Sequence, residues 1–268
     1  MYNKQAVIDM YAKNDLGAES IFQGDFINFG YWKGVNLEKR VTLKERQEAS
    51  KALYQAVYNQ FLSARNLNIA EVGCGRGVGC GILGAHENVS TITGIDLNKK
   101  QIDRAKRVNK DLMALTGNKL TFQQGSGADT GLDSATFDIV YSVEASQHFP
   151  SFLDYAKEAQ RILKPGGKFI INTFFATPLG RARNVEERFS TGESGVNNFR
   201  LIEEVKRNCQ SIDLSFVSET SIGKDVFYGF NKWNTQLDKA SRAQWVTNLQ
   251  TSFEEGLIDY TILSFQKK

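Results

Sequence analysis

The stretch IAEVGCGRGVGCG, Ile69 to Gly81, runs from a short apolar segment through an acid at Glu71 into glycines at 73, 75 and 77. This is the pattern of a strand breaking into a turn where backbone comes close to a ligand. Glycine alone takes positive φ freely and puts no side chain in the way. A helix is expected from about Gly77, with its first N–H groups pointing back at whatever sits in the turn.

A dinucleotide fold needs G-x-G-x-x-G directly after this strand, so that a pyrophosphate meets the helix N-terminus. The third glycine position is Val78 counted from Gly73, Cys80 from Gly75 and Ile82 from Gly77, so the register fails each time. The one match, Gly79 to Gly84, lies inside the expected helix, and no G-x-x-x-x-G-K-[ST] occurs.

Outward from the turn, strands and helices alternate. Strand-like runs cover Asn68 to Val72, Ser90 to Ile95, Lys119 to Gln123, Phe137 to Val143 and Lys168 to Phe175. Helical patterns lie between them at about 77 to 85, 99 to 115 and 151 to 163, the second capped by Asn98. Such alternation predicts an α/β fold with a parallel sheet, helices on both faces, and a ligand at the carboxyl ends of the strands. Upstream, a helix is expected over residues 3 to 16. The aromatic loop FINFGYWKG, Phe26 to Gly34, comes after it, and Thr42 with Glu45 forms a capping box for a helix to about 63. Downstream, Ala176 to about Asn198 reads as an excursion over the site. A helix at about 199 to 208, strands at Asp213 to Thr220 and Leu257 to Phe265, and a helix at about 240 to 255 complete the chain.

The 268 residues are 41% hydrophobic and 24% charged, as in an ordinary globular protein. A net charge of +3, with both signs scattered, gives no electrostatic case for nucleic acid. The first residues carry charges through what a secretory signal would keep apolar, and no apolar run is long enough to span a bilayer, so a cytoplasmic protein without membrane insertion is expected. Three cysteines and two histidines in no ligand spacing predict neither a disulfide framework nor a metal centre.

The segments behind the glycine turn make the pattern specific. Asp96 in GIDLN closes the second strand, 23 residues after Gly73, and TFDIVYSVEASQHF and RILKPGGKFII stand in order behind it. With the glycine turn itself, these four segments, over about residues 69 to 175, resemble class I S-adenosylmethionine-dependent methyltransferases. The resemblance implies a Rossmann-like, seven-stranded, mostly parallel sheet with an N-terminal helical arm and a lid after strand 5. It implies a single methyltransferase domain over 1–268: N-terminal helices and aromatic lid loop at 1–63, cofactor core at 64–175, lid and substrate side at 176–256, and last strand at 257–268. S-adenosylmethionine is the implied cofactor and S-adenosylhomocysteine the product. Gly73, Gly75 and Gly77 would hold its methionine part, Asp96 would accept from both ribose hydroxyls, and Leu97 would flank the adenine.

The cofactor has no phosphate but carries an ammonium and a sulfonium, which suits an acid beside the turn. Glu71 either contacts the ammonium, directly or through water, or satisfies turn N–H groups. One departure is Gly125-Ser126-Gly127-Ala128-Asp129, where the family often has an acid for the adenine amino group at the place of Ser126. Ser126 makes a weaker, uncharged contact, and Asp129 is the alternative.

Ser142-Val143-Glu144-Ala145 lacks the Asn/Asp-Pro-Pro-aromatic signature of adenine and glutamine N-methyltransferases. EASQHF and FINFGYW narrow the resemblance to small-molecule enzymes of the tocopherol, sarcosine and dimethylglycine, and ubiquinone-pathway group, and more distantly to cyclopropane fatty acid synthases. By that resemblance Tyr31 and Trp32 close over the cofactor, Gln101 lies near it, Val143 lines it, and His148 faces a small-molecule acceptor. His148 is the candidate general base and Glu144 its orienter or an amine ligand. Arg181, Arg183, Arg188 and Arg200 either bind an anion or form a solvated face. Phe227, Tyr228, Phe230 and Trp233 form either a pocket wall or core. Two rivals stand beside methyl transfer: cofactor binding without transfer, and cyclopropanation. Monomer or homodimer stays open.

Overall fold

The computed structural model describes residues 20–268, so the helix expected over residues 3 to 16 lies outside the described residues. Helix α1 (Leu43–Tyr58) starts with the expected capping box: Thr42 Oγ1 accepts from the Glu45 N–H while the Glu45 carboxylate accepts from the Thr42 N–H. Strand β1 (Leu67–Val72) then enters the glycine turn, and α2 (Val78–Gly84) leaves it. The alternation continues through β2 (Val89–Asp96), α3 (Lys99–Val108), α4 (Lys110–Thr116), β3 (Leu120–Gln124), β4 (Phe137–Val143), α5 (Phe152–Ile162) and β5 (Leu163–Ala176).

The single helix expected over 99 to 115 is two. Between α3 and α4 the Asn109 amide donates to Gly77 O and Ala105 O, at 3.1 and 2.9 Å, and its backbone leaves helical geometry. The same bond ties the break to the glycine turn.

Beyond β5 come α6 (Pro178–Ala182), α7 (Ser190–Glu193), α8 (Ile202–Gln210), β6 (Leu214–Ser221), α9 (Gly223–Gln236), α10 (Gln244–Glu254) and β7 (Ile258–Lys267). Helix α9 is not among the elements expected from the sequence. Its Val226, Phe227, Phe230 and Trp233 are spaced three and four apart and are buried, which makes them one face of a core helix.

The sheet order is β3-β2-β1-β4-β5-β7-β6. Strands β1 to β5 pair in parallel, and β7 runs antiparallel between β5 and β6. This is the Rossmann-like, mostly parallel sheet that the sequence predicts. Both faces are covered, so successive strand residues enter two different cores. Ile69, Tyr141 and Ile170 pack under α1 and the N-terminal loop, while Ala70, Val140 and Ile171 pack under α5 and α8. The strand order reverses between β1 and β4, which places the crevice above their carboxyl ends.

Candidate functional site

A cavity of about 320 Å³ lies in that crevice. Val72 to Arg76 after β1, Asp96 to Asn98 after β2, Gly125 to Ala128 after β3 and Val143 to Ala145 after β4 form its floor. Four strand ends thus converge on one volume.

The donors of the turn are occupied from within. Gly73 N–H and Cys74 N–H both donate to Ile95 O, at 2.8 and 2.9 Å, and Gly77 N–H donates to Cys74 O at 2.8 Å. Gly75 N–H donates to Asp96 Oδ2 at 3.0 Å. These four groups are therefore not left for a phosphate; they belong to the turn ahead of α2 and not to the helix's own first N–H groups. Gly77 (φ +69) does not line the cavity: a Cβ there would stand 2.5 Å from the Phe122 ring, so its role is packing beneath the turn. At Gly73 a Cβ would meet the Ala145 Cβ at 2.3 Å, so that glycine lets the β1 and β4 ends approach.

Asp96 is half-buried at the cavity edge and also accepts from the Asn98 N–H, through Oδ1 at 2.9 Å. Burial raises its carboxyl from 3.8 to about 6, against those two backbone donors. Leu97 lies beside it. Ser126 lines the cavity and Asp129 does not; the Asp129 N–H donates to Ser126 Oγ at 3.0 Å, so the loop bends Asp129 outward. Gly127 and Ala128 complete this wall, and a Cβ on Gly127 would touch the Phe149 ring at 2.9 Å.

Besides Gly77, four expected residues are elsewhere. Glu71 is fully buried under the turn, where its Oε2 accepts from Cys80 Sγ and from the Tyr141 hydroxyl, at 2.9 and 2.8 Å. The pleat of β1 directs it under α1, away from the crevice. Trp32 donates from Nε1 to Phe29 O, lies beside the buried Arg46 guanidinium, and fills the notch left by Gly229. Tyr31 borders a separate surface groove with Lys33 and Thr42. Gln101 is buried in α3, where its Oε1 accepts from Arg104, and lies outside the cavity lining.

The aromatic loop does cover the site, but with an earlier segment. Asp25, Phe26 and Ile27 face the cavity, and the Asp25 carboxylate bonds Arg76 of the turn. Tyr54 of α1 also lines it. The sequence signals for these residues were the loop itself and the Tyr54–Tyr58 spacing on one helix face.

After β4 the chain turns sharply at Glu144, whose φ of +48 is in the left-handed region. Glu144 lines the cavity, and its Oε1 accepts from the Phe29 N–H at 2.9 Å and from the Tyr260 hydroxyl at 2.7 Å. It joins the N-terminal loop to β7 and does not orient His148. Burial raises its carboxyl from 4.5 to about 7, opposed by those donors and by the Arg46 charge.

His148 lines the cavity too, but its nitrogens are engaged. Nδ1 lies 3.0 Å from Val196 O, and Nε2 lies 3.2 Å from Gln147 Nε2. The carbonyl requires the proton on Nδ1, so the Nε2 lone pair receives the Gln147 amide. Gln147 is held in that orientation because its Oε1 accepts from the Thr173 hydroxyl. Desolvation lowers the imidazole from 6.5 to about 4. These contacts overturn the expectation of a general base near its ordinary pKa.

The arginines of the 176–200 excursion do not line the cavity. Arg181 pairs with Glu204 and Arg188 with Glu255, while Arg200 is drawn inward to the carbonyls of Ser146 and Phe149. Phe227, Tyr228, Phe230 and Trp233 are also absent from the lining.

Residues 70–171 match the family profile described as "Methyltransferase domain". Over this segment the chain is similar to methyltransferase domains. The fatty-acid O-methyltransferase of Mycolicibacterium smegmatis is 30% identical over 168 residues, 62% of this chain and 57% of that protein. The 24-methylenesterol C-methyltransferase 2 of Oryza sativa subsp. japonica is 28% identical over 162 residues, 60% of this chain and 44% of that protein. The chain thus spans about half the length of these curated relatives. Around the matched segment the whole fold is similar to geranyl diphosphate C-methyltransferase from Streptomyces coelicolor, with a TM-score of 0.78, 17% identity, and coverage of 98% of this chain and 97% of that one. At that identity the likeness is one of fold.

Proposed function

We propose that this chain is an S-adenosylmethionine-dependent methyltransferase of a small-molecule acceptor, with S-adenosylhomocysteine as product. The reading is carried by the crevice cavity, in which a turn with occupied donors stands beside the half-buried Asp96. The residues fit such a cofactor. Each Asp96 oxygen takes one backbone N–H and keeps a further lone pair for a ribose hydroxyl. Gly73 and Gly75 bring bare backbone to the methionine end, Leu97 and Ala128 offer apolar contact to the adenine, and Ser126 stands where its amino group is read.

When bound, the cofactor supplies an activated methyl group. The protein's own work is alignment and exclusion of water. Phe26, Ile27, Tyr54 and Phe149 give the cavity an apolar wall, and the sterol in one relative's name supports an apolar acceptor. Glu144 is the group placed to meet the acceptor, and His148 positions the loop that carries it. We read residues 1–268 as one unit, because β6 and β7 complete the sheet of the core. Three buried, unpaired thiols suit the reducing cytoplasm.

Calorimetric titration is expected to show binding of both S-adenosylmethionine and S-adenosylhomocysteine. Asp96→Ala should weaken both by at least about tenfold, the loss of charge-assisted hydrogen bonds. Binding of neither nucleoside would end this reading.

A further inference from the structure

The charged groups lining the cavity, among the described residues, are Asp25, Arg76, Asp96 and Glu144. The one cation in that set, Arg76, is bonded to Asp25. Two other guanidiniums lie nearby and point inward. Arg46 donates to Ile21 O, Ser50 Oγ and Asn28 O, and Arg200 donates to Ser146 O and Phe149 O. Neither lines the cavity. An anionic acceptor would lose its hydration here and face carboxyl groups, with no cation of the described residues left unengaged to meet it.

Glu144 supplies the complementary half of the argument. Both of its protein hydrogen bonds arrive at Oε1, so the carboxyl is fixed in place while Oε2 takes none of them. On a residue that lines the cavity with the apolar Phe26, Ile27, Val143 and Phe149, a carboxyl held this way is preorganised for one donor group on an otherwise apolar molecule. We propose that the acceptor is a neutral or cationic molecule with an apolar body whose O–H or N–H donates to Glu144 Oε2, and that carboxylates and phosphates are refused. This deepens the methyltransferase reading and rests on it.

The test uses the full chain saturated with sinefungin, which keeps the positive charge of the cofactor, titrated calorimetrically with octanol, octylamine, octanoate and octyl phosphate. Octanol and octylamine should bind, and the two anions should bind at least about tenfold more weakly. Glu144→Gln should weaken octylamine by about tenfold while S-adenosylhomocysteine, which presents no amine or sulfonium on that side, still binds, which also reports that the variant is folded. Octanoate binding as tightly as octanol would overturn the proposal, as would an unchanged octylamine affinity in Glu144→Gln or no binding of any octyl probe. The wild-type ranking decides even where the variant fails to fold. A wild type that does not bind sinefungin would remove the cofactor reading itself, and the acceptor class with it.

Discussion

Gly75 and Gly77 stand two residues apart, both at positive φ, and do different things. A Cβ on Gly75 (φ +53) meets nothing within 4 Å, whereas one on Gly77 (φ +69) would collide with the Phe122 ring and stand 2.9 Å from Ala105. Gly77→Ala should therefore destabilise the fold by on the order of 3 kcal/mol, from overpacking added to left-handed strain. Gly75→Ala should cost only about 1 kcal/mol, yet project a methyl group toward the cavity that Gly75 lines. Thermal melts paired with S-adenosylhomocysteine titrations separate the two: stability falls most in Gly77→Ala, affinity most in Gly75→Ala. Equal effects on both readouts would show that the two glycines share one role.

At the scale of elements, the site depends on a loop gripped from outside. Residues 144 to 149 are held by the 176–200 excursion: the Asn198 amide donates to Gln147 O and Phe149 O, the Val196 carbonyl accepts from His148, and Arg200 reaches Ser146 O and Phe149 O. The excursion is anchored by buried Val185, Phe189, Val196 and Phe199. The excursion that the composition placed over the site is thus packed on it as a clamp. Arg200→Met removes two charged hydrogen bonds to carbonyls and should cost about 2 kcal/mol. Hydrogen exchange should quicken at the His148 and Phe149 amides, which close the short turn on Ala145 O and Ser146 O. Unchanged protection there would mean the clamp does not work through Arg200.

For the molecule as a whole, the buried titrating groups oppose one another with pH. Glu71 and Glu144 are raised from 4.5 to about 7, and Asp96 from 3.8 to about 6, each chiefly by burial. Such a carboxyl keeps its proton in the folded state where the unfolded chain has lost it. Its contribution to stability is full below the unfolded value and is lost as pH rises toward the folded one. His148, lowered from 6.5 to about 4, has the opposite sign: its contribution is full above about 6.5 and is lost as pH falls toward 4. Glu71→Gln isolates one of these groups, because the amide oxygen can still accept from Cys80 and Tyr141. Between pH 5 and pH 8 its stability relative to the wild type should improve by up to about 3 kcal/mol, read from melts at both values. A difference that does not change with pH would show that Glu71 titrates normally.

The strands, their mostly parallel sheet and the crevice were legible in the sequence because local patterns mark them, whereas the strand order came only with the structure. Apolar runs, caps and the glycine turn each act within a few residues, and the motif order at Gly73, Asp96, Ser126 and Val143 placed the cavity's floor. The facing of side chains in the surrounding segments was not legible. Trp32 and Phe26 share one aromatic loop, and only the packing against Arg46, Gly229 and the crevice decides which ring goes in and which goes out. Glu71, which adjoins the turn in sequence, read either as a ligand contact or as a partner of turn N–H groups; the two-residue period of β1 sends it under α1, where it accepts from Cys80 and Tyr141. His148 looked like a base until Val196, 48 residues away in the chain, and Gln147 took both of its nitrogens. Sequence determined where a ligand sits, since backbone geometry is a local property. Tertiary structure alone decided which groups are left to meet it, since that depends on hydrogen bonds made by residues distant along the chain.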